Sequence, residues 1–199
     1  MVNNILNIYN LKKIYHDKKS ETLAIDGVTL HIKEKDFVTI VGPSGCGKST
    51  LLSILTGLEN KSGGEIITKK DTKFAYMLQS DSLFPWRTVL DNCLLGLEVN
   101  NQLNEHTKNR VISLLKSYGL YEFKDKFPKN LSGGMKQRVA LIRTLALDPD
   151  ILLLDEPFSA LDYSTRLTLS NDIYNIIKKE NKTAIMVTHD LAELRFLLA

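Results

Sequence analysis

The stretch GPSGCGKST, at residues 42–50, decides the fold of this chain. It has the P-loop spacing of glycines followed by lysine and serine, a motif that requires a strand before it and a helix after it. Phe37–Val41 is a nearly continuous apolar run, and the leucines of residues 47–56 recur at helical spacing up to Gly57, which can cap a helix. The sequence therefore predicts a strand, a phosphate-binding loop and a helix in this order.

The residue types of this loop suit a nucleotide phosphate. Glycines let backbone amides crowd around phosphate oxygens, and the following helix start adds the positive end of its dipole. Lys48 can reach the terminal phosphates and Ser49 can bind Mg²⁺, whereas Cys46 is predicted to be only a small residue. A chance glycine-rich turn is the alternative, which the flanking strand and helix patterns disfavour. The residues predicted to contact the nucleotide are Gly42, Pro43, Ser44, Gly45, Cys46, Gly47, Lys48, Ser49 and Thr50.

A second motif, ILLLDEP at residues 151–157, predicts the catalytic carboxylates. An unbroken apolar strand that ends at the nucleotide would place Asp155 beside the metal ion. Glu156 is then free to hold and deprotonate the attacking water, so we predict that it is the general base. An Asp-Glu pair in a solvated turn is the alternative, which the apolar run and the upstream P-loop disfavour. The two motifs together predict ATP hydrolysis.

A third motif, LSGGMKQR at residues 131–138, is a second glycine-rich candidate for phosphate binding. Ser132 can donate its hydroxyl to a phosphate, and Gly133 and Gly134 can expose their amides at a helix start. Ser-Gly-Gly is also an ordinary helix cap. The spacing of the residues alone does not decide between these two interpretations.

The size and charge of the chain bound the class of protein. Its 199 residues suffice for one domain with a buried core. Lysine and arginine exceed aspartate and glutamate by only 26 to 23, so we expect no nucleic-acid partner, and the lysine pairs at 12/13, 18/19 and 178/179 are predicted to be solvated. Two cysteines without a CxxC spacing predict neither a disulfide framework nor a metal site. We find neither a signal-peptide pattern nor an apolar run of about 20 residues, which predicts a chain that is soluble on its own.

Strands and helices are predicted to alternate, which is typical of an α/β fold. Alternating polar and apolar residues predict two antiparallel strands, 5–15 and 22–32, around the polar turn DKKSE at 17–21. A helical insert is predicted over about residues 80–146. The other predicted strands are 65–68 (after a turn at Ser62-Gly63-Gly64), 74–77, 151–154 and 183–187, and the predicted helices are 111–118 (ended by Gly119), 135–146 and 163–179. The predicted fold is a mostly parallel sheet flanked by helices, with an N-terminal antiparallel part and a helical subdomain.

From about residue 5 to residue 190, these motifs resemble the ATP-binding subunits of ABC transporters. The LSGG sequence is the feature that separates this family from other P-loop NTPases. The resemblance implies a P-loop NTPase fold and a head-to-tail dimer, in which each ATP lies between the P-loop of one subunit and the LSGG helix of the other. It also implies ATP and Mg²⁺ as cofactors.

Single residues outside the glycine motifs also match the family pattern. Gln79 resembles the Q-loop glutamine, which touches Mg²⁺ and water and reports on the membrane partner. His189 in VTHD resembles the switch histidine that contacts the γ-phosphate, and SALD at 159–162, ending in Asp162, resembles the loop that communicates across the dimer. Tyr15 takes the place of the aromatic residue that stacks on adenine, with a tyrosine that merely packs at a strand end as the alternative. The implied catalytic residues are Glu156, His189, Lys48 and Gln79, and the implied metal ligands are Ser49, Gln79 and Asp155.

One stretch narrows the resemblance within the family. LQSDSLFPWRTVLDN at 78–92, together with Met135 after LSGG, resembles the ATPases of nitrate, sulfonate and taurine importers. Phe84, Trp86 and Arg87 are then expected near the groove that receives the coupling helix of a separate membrane subunit. Packing of these side chains in the core of the insert is the alternative. The implied partners are a second copy, a transmembrane permease and, indirectly, a solute-binding protein, and the implied location is cytoplasmic, on the inner face of the cell membrane.

The chain departs from the family pattern after His189-Asp190. The family continues through an Asp-Arg pair into further strands and helices, whereas this sequence reads LAELRFLLA. We therefore expect residues 1–199 to form a single ATP-binding domain without the C-terminal part of the family domain, with a weaker sheet edge or dimer and a lower activity. A truncated module with impaired hydrolysis and a soluble ABC ATPase outside transport are the alternative functions.

Overall fold

Two sheets flanked by helices make up the structure. The computed structural model describes residues 4–17, 20–159 and 161–191. Lys18 and Lys19 of the predicted turn, Ala160 of SALD and residues 192–199 lie outside the described residues. The strands are β1 (Asn4–His16), β2 (Glu21–Lys33), β3 (Phe37–Val41), β4 (Gly63–Thr68), β5 (Phe74–Met77), β6 (Ile151–Asp155) and β7 (Thr183–Thr188). The α-helices are α1 (Lys48–Leu55), α2 (Val89–Val99), α3 (Glu105–Ser117), α4 (Gly133–Ala146) and α5 (Tyr163–Lys179), with short 3-10 turns at Tyr121–Phe123 and Pro128–Asn130.

The parallel sheet has the strand order β3-β7-β6-β5, and its two central strands are shielded from water. Every residue of β6 and β7 is buried. Leu152 and Leu154 pack in one core with α4 and α5, while Ile151 and Leu153 pack in a second core with α1. A strand covered on both faces is apolar throughout. The run ILLL therefore forms the centre of the fold, as predicted.

The antiparallel sheet, in the order β2-β1-β4, covers α1 and the second core. Leu6, Ile8 and Leu11 of β1 are fully buried in the same cluster as residues of α1. The alternation of apolar and polar residues predicts this one-sided burial. Because β1 continues to Tyr15, this sheet also brings an aromatic residue to the cavity that the P-loop lines.

Helices α2, α3 and α4 follow β5 and precede β6 in the sequence, and they share an apolar core. Reciprocal capping boxes begin two of them, formed by Thr88 with Asp91 at α2 and by Asn104 with Thr107 at α3. The predicted helical character of this region is confirmed, although the sequence pattern does not identify α2 as a separate helix. None of the helices in the described part of the chain combines the length and apolar character needed to cross a bilayer.

Two glycines predicted as a turn lie inside a strand instead. Gly63 and Gly64 are the first residues of β4, where Gly63 pairs with Lys12 of β1 beyond a register shift. Gly64 has φ +80°, and a Cβ atom there would lie 2.3 Å from the carbonyl oxygen of Asn10. Only glycine combines this backbone conformation with so close an approach of the two strands.

Helix α4 begins two residues earlier than predicted, at Gly133 rather than Met135. Ser132 is its N-cap and accepts a hydrogen bond from the Met135 amide (3.3 Å). Glycine has a low helix propensity, so the sequence pattern favours a later start, and the serine cap outweighs that preference. The amides of Gly133 and Gly134 consequently lie in the first turn, where a helix leaves its amides without partners of its own.

The close approach at Gly64 generates a stability prediction. Gly64→Ala should lower the free energy of unfolding more than Gly119→Ala, because Gly119 has a similar φ of +71° but no atom within 4 Å of an added Cβ. The left-handed backbone alone costs alanine about 1 kcal/mol, and the collision with Asn10 adds to that cost only at Gly64. Urea denaturation of both variants measures the difference. Equal losses of unfolding free energy in the two variants would show that β1 and β4 move apart at Gly64 without an energetic cost.

Candidate functional site

The candidate site lies where the carboxyl ends of β3, β6 and β7 meet. The loop 42–47 leaves β3 at this edge. The Gly42 amide donates to the carbonyl of Thr188 (3.2 Å), and the Glu156 amide donates to the carbonyl of Val187 (2.9 Å). Both connections use the end of β7. This edge is the place where open parallel sheets bind their ligands.

A cavity of about 440 Å³ opens at this edge, a volume in the range of small-molecule sites. Its walls come from the P-loop with the start of α1, from the facing ends of β1 and β2, and from the residues after β5 and β6. In that order they are Ser44, Gly45, Gly47, Lys48, Ser49 and Thr50, then Tyr15, Thr22, Leu23 and Ala24, then Gln79 and Glu156. Six of the nine P-loop residues predicted to contact the nucleotide therefore share one cavity with Tyr15, and the other three, Gly42, Pro43 and Cys46, lie in the same loop.

The loop conformation requires glycine at two positions. Gly45 and Gly47 have φ values of +81° and +95°. A Cβ atom on Gly47 would lie 2.2 Å from the carbonyl oxygen of Ala24, so only a residue without a side chain lets the loop rest against β2. Gly47 is also the N-cap of α1, and the start of that helix consequently borders the cavity.

Lys48 turns its ammonium group back over the loop. Its Nζ donates to the carbonyls of Gly42 (2.8 Å) and Pro43 (2.9 Å), and lies 3.5 Å from Glu156 Oε1. The side chain is buried, and Lys48 is the first residue of α1. A positive side chain and the positive end of a helix therefore act at the same place, and both favour an anion.

Ser49 and Asp155 supply a pair of oxygens that fits a magnesium ion. Ser49 Oγ donates to Asp155 Oδ1 (2.8 Å), and Tyr76 Oη donates to Asp155 Oδ2 (2.7 Å). Burial, and then the hydrogen bond to Asp155, raise the pKa of Tyr76 above its ordinary value, so the phenol remains a donor. Mg²⁺ binds carboxylate and hydroxyl oxygens, usually through few protein groups and several waters. The donor set here is of that kind.

Glu156, Gln79 and His189 come together beside the cavity. Glu156 Oε2 lies 3.0 Å from His189 Nδ1 and accepts a hydrogen bond from Gln79 Nε2 (3.3 Å), which also donates to Ser159 Oγ (3.3 Å). Glu156 has φ +43°, an uncommon value for a residue with a side chain. Backbone strain of this kind concentrates at functional sites. Three residues that the family resemblance singled out thus form one cluster.

The serine of LSGG opens onto a different cleft. Ser132 and Gly134 line that cleft together with residues of α5. A Cβ atom on Gly133 would lie 2.8 Å from Leu161 Cδ2, so the glycine lets the SALD segment pack on the helix start. Ser132 is exposed, and its hydroxyl can still donate its hydrogen while Oγ accepts from the Met135 amide. The helix-cap interpretation is therefore confirmed within one chain. It is compatible with a phosphate contact, because the hydroxyl hydrogen of Ser132 is not used by the cap.

Asp162 is also a helix cap. Its carboxylate accepts from the Ser164 hydroxyl (2.7 Å) and from the Thr165 amide (3.1 Å) at the start of α5. These hydrogen bonds, with that of Ser164 first, hold the pKa of Asp162 far below its ordinary value, so the group stays ionised. Asp162 is exposed and does not line the P-loop cavity. The caps Ser132 and Asp162 begin the two helices that border the second cleft.

Tyr15 lies at the edge of the cavity beside a cation that the sequence pattern does not reveal. The Lys13 ammonium is 4.6 Å from the centre of the Tyr15 ring. The prediction that Lys13 is solvated is wrong: it is buried, and its Nζ donates to Glu59 Oε2 (2.9 Å) and to the Asn60 carbonyl (2.7 Å). Those partners lie far along the chain, so the local charge pattern carries no sign of them. A cation over one face of the ring leaves the other face for a planar base.

Phe84 and Trp86 form an aromatic pair at the surface. Their ring centroids are 5.1 Å apart, and Trp86 is 70 % exposed. The alternative that these side chains fill the core of the insert is therefore wrong for Trp86. Arg87 forms an ion pair with Glu98 (2.7 Å).

Asn92 holds the turn that carries these residues, and the sequence pattern misses it. Its fully buried side-chain amide accepts a hydrogen bond from the Phe84 amide (2.7 Å) and donates to the carbonyls of Phe84 and Arg87 (both 3.1 Å).

Sequence comparison identifies the family. The profile of the family described as ABC transporter matches residues 25–159, more than half of the chain. The ABC transporter ATP-binding protein YtlC of Bacillus subtilis is 44 % identical over 194 residues, which cover 94 % of this chain and 75 % of that protein. The aliphatic sulfonates import ATP-binding protein SsuB of Bacillus cereus is 39 % identical over 198 residues, or 96 % of this chain and 78 % of that protein.

Solved structures agree with this result. The ATP-binding cassette MJ0796, described as a dimer in a post-hydrolysis state bound to ADP and Pi, superposes with a TM-score of 0.78 at 32 % identity over 96 % of this chain and 90 % of that one. For cbiO1 of Clostridium perfringens, part of the ABC transporter complex cbiONQ, the TM-score is 0.82 at 29 % identity over 94 % and 79 % of the two chains. The predicted P-loop NTPase fold is confirmed. By its sequence, its fold and the meeting of the P-loop and Glu156 at one cavity, the chain belongs to the ABC transporter family as one of its ATP-binding, ATP-hydrolysing proteins.

Proposed function

We propose that this chain is the ATPase subunit of an importer, in which two copies bind two Mg-ATP head to tail and drive a separate membrane permease. Residues 1–199 act in this proposal as a single ATP-binding domain. The main observation in its support is that the two phosphate motifs line different cavities of the folded chain. Lys48 and Ser49 line one cavity, whereas Ser132 opens onto another cleft of the same chain. A second copy can bring its Ser132 to the open side of the P-loop cavity.

The start of α4 suits a phosphate that is held by another subunit. The first turn of this helix contains no acidic residue, and Gly133 and Gly134 have no side chains of their own beside their amides. Ser132 adds a hydroxyl hydrogen at the same point. Amides at a helix N-terminus and a hydroxyl together bind an anion without a lysine. This chemistry favours a γ-phosphate contact across a dimer over a cap with no further role.

Within its own cavity, each chain positions ATP by several contacts. Lys48 and the loop amides hold the phosphates, and Tyr15 stacks on the adenine. Ser49, Asp155 and Gln79 would hold Mg²⁺, which would supply positive charge to offset the charge of the phosphates. The antiparallel sheet thus supplies the base contact, and the parallel sheet supplies the phosphate and metal contacts.

Glu156 is the proposed general base. The water oxygen attacks the γ-phosphorus, the bond to the bridging oxygen of ADP breaks, and Glu156 takes up the proton of the water. His189 and Gln79 hold the Oε2 atom of Glu156 and so orient its carboxylate. The ammonium of Lys48 lies 3.5 Å from Oε1 of Glu156. A bound phosphate attracts this ammonium, so Oε1 becomes available to accept the proton of the water.

The aromatic pair Phe84–Trp86 is the proposed contact with the permease. An exposed tryptophan beside an arginine has the composition of an interface hot spot. The similarity to proteins named for aliphatic sulfonates import supports a small solute such as a sulfonate, nitrate or taurine, which a solute-binding protein delivers to the permease. The chain then works on the cytoplasmic face of the membrane.

Glu156→Gln tests both the base and the dimer. The amide cannot accept the proton of the water, so we expect phosphate release to fall at least about 100-fold while ATP still binds. The variant should then accumulate as an ATP-bound dimer, which light scattering after gel filtration detects. A variant that stays monomeric at saturating ATP and still turns over contradicts the assignment. In the same background Ser132→Arg should abolish the dimer, whereas Ser113→Arg, at an exposed position of α3, should leave it intact.

Tyr15→Ala tests the adenine contact. Stacking of a base on an aromatic ring contributes about 1–3 kcal/mol, so the dissociation constant of ATP should rise roughly 5- to 150-fold, and Tyr15→Phe should restore it. Tyr9→Ala is the control, since Tyr9 lies on the same strand with a similar exposed fraction (41 % against 38 %) but does not line the cavity. Titration with a ribose-labelled fluorescent ATP analogue measures both. Equal affinities of the two alanine variants would mean that Tyr15 only packs.

Trp86→Ala tests the permease surface. A hot-spot residue contributes more than about 1 kcal/mol, so a tagged chain carrying the variant should capture its permease from solubilised membranes at least about fivefold less strongly. Leu58→Ala removes an equally exposed apolar side chain (70 %) that follows α1, and should not change the capture. Mass spectrometry quantifies the transmembrane protein recovered. Equal recovery with both variants would place the contact elsewhere.

A further inference from the structure

We infer that Tyr76 is a positioning residue for Asp155, which fixes the carboxylate in the orientation that binds the metal ion of Mg-ATP. The inference rests on the proposed function, in which Asp155 is a metal ligand. Tyr76 acts through Asp155 and needs no contact with the nucleotide or the metal. The sequence pattern identifies it only as a residue of a short strand.

Tyr76 reaches Asp155 from the neighbouring strand. In the parallel pair of β5 and β6, Tyr76 is level with Leu153, two residues before Asp155. Side chains two residues apart on a strand share a face, and Tyr76 and Leu153 pack in the core that contains α1. Asp155 is only 5 % exposed, so water does not readily replace a partner that it loses.

Each oxygen of the Asp155 carboxylate accepts a hydrogen bond from one hydroxyl group. Ser49 donates to Oδ1 (2.8 Å) and Tyr76 donates to Oδ2 (2.7 Å). Donors on opposite oxygens oppose rotation of the carboxylate. Oδ1 therefore stays directed at Ser49, which is also proposed to hold the metal.

The hydroxyl of Tyr76, rather than its ring, carries this role. Phe74 packs in the same core from the same strand, so a ring without a hydroxyl is accommodated on this face. Removal of Oη alone leaves Oδ2 as a buried carboxylate oxygen without its donor, free to turn. Residues that orient a metal ligand typically change the metal affinity 10- to 100-fold when they are substituted. The loss should therefore appear in metal binding and not in nucleotide binding.

Tyr76→Phe in the full chain tests the inference. Binding of Mn²⁺ in the presence of ATP, followed by electron paramagnetic resonance, should weaken about 10-fold. The affinity for a fluorescent ATP analogue in EDTA should be unchanged. The melting temperature should fall by about 3–12 °C, as expected for the loss of one hydrogen bond to a charged group.

Tyr118→Phe is the matched control. Tyr118 is half-buried like Tyr76, and its hydroxyl donates to Glu180 Oε1 over the same distance of 2.7 Å. It lies at the end of α3 and does not line the P-loop cavity. The control should lower the melting temperature to a similar extent and leave Mn²⁺ binding unchanged. Equal weakening of Mn²⁺ binding in both variants would overturn the inference, because a general loss of stability would then explain it.

Asp155→Asn separates this inference from the proposed function. If Asp155→Asn weakens Mn²⁺ binding and Tyr76→Phe does not, the role of Tyr76 is overturned and the metal assignment stands. If Asp155→Asn retains the Mn²⁺ affinity of the parent chain, the metal assignment fails and the inference fails with it. Weakening in Asp155→Asn and Tyr76→Phe, but not in Tyr118→Phe, is the expected result.

Discussion

The hydrogen bond from Ser49 to Asp155 (2.8 Å) joins the two halves of the site, and the strand order makes that bond possible. The two residues are 106 positions apart. Ser49 lies on α1, after the loop that leaves β3, whereas Asp155 ends β6, and β7 separates these two strands. The end of β7 bridges this gap, since its carbonyls accept from the amides of Gly42 and Glu156. His189, the residue that follows β7, lies against Glu156 at the same edge, with Nδ1 3.0 Å from Oε2. One strand order thus brings the lysine, the carboxylates and the histidine to a single edge.

The same arrangement places charges at the end of a strongly apolar sheet. A buried carboxylate is costly unless hydrogen bonds satisfy its oxygens, and the hydroxyls of Ser49 and Tyr76 do so for Asp155. The buried ammonium of Lys48 is satisfied by two loop carbonyls and lies near Glu156. Both of these buried charges thus have partners within the chain. These partners hold the side chains in defined positions, which is what a site for phosphate transfer needs.

The sequence predicts the elements whose signal is local and misses the contacts whose partners are distant. Strands β3 and β6 and helix α5 follow from continuous or periodic apolar residues within a few positions, and their predicted bounds agree with the structure to within one residue. Lys13, Asn92 and Tyr76 carry no such signal. The partners of Lys13 and Tyr76 lie 46 to 79 positions away, and Asn92 binds the backbone of a turn whose shape is not encoded by any one residue. The turn predicted at Gly64 is also wrong, because the need for glycine there comes from the close approach of Asn10 on the neighbouring strand.

Arg143 attaches the helical insert to the backbone that follows Gln79. Its guanidinium donates to the carbonyls of Asp81 (2.7 Å) and Ser82 (2.8 Å), and the planar group that makes both bonds resists rotation of that backbone. Arg143 lies on α4, the helix that Ser132 caps, so one helix carries the LSGG serine at its start and this attachment two to three turns further on. A displacement of α4 as a body therefore displaces the segment of Gln79. In the proposed function, a second copy acting on the start of α4 and a permease acting on the aromatic pair would affect the same stretch of backbone, which would give ATP binding a physical route to the permease.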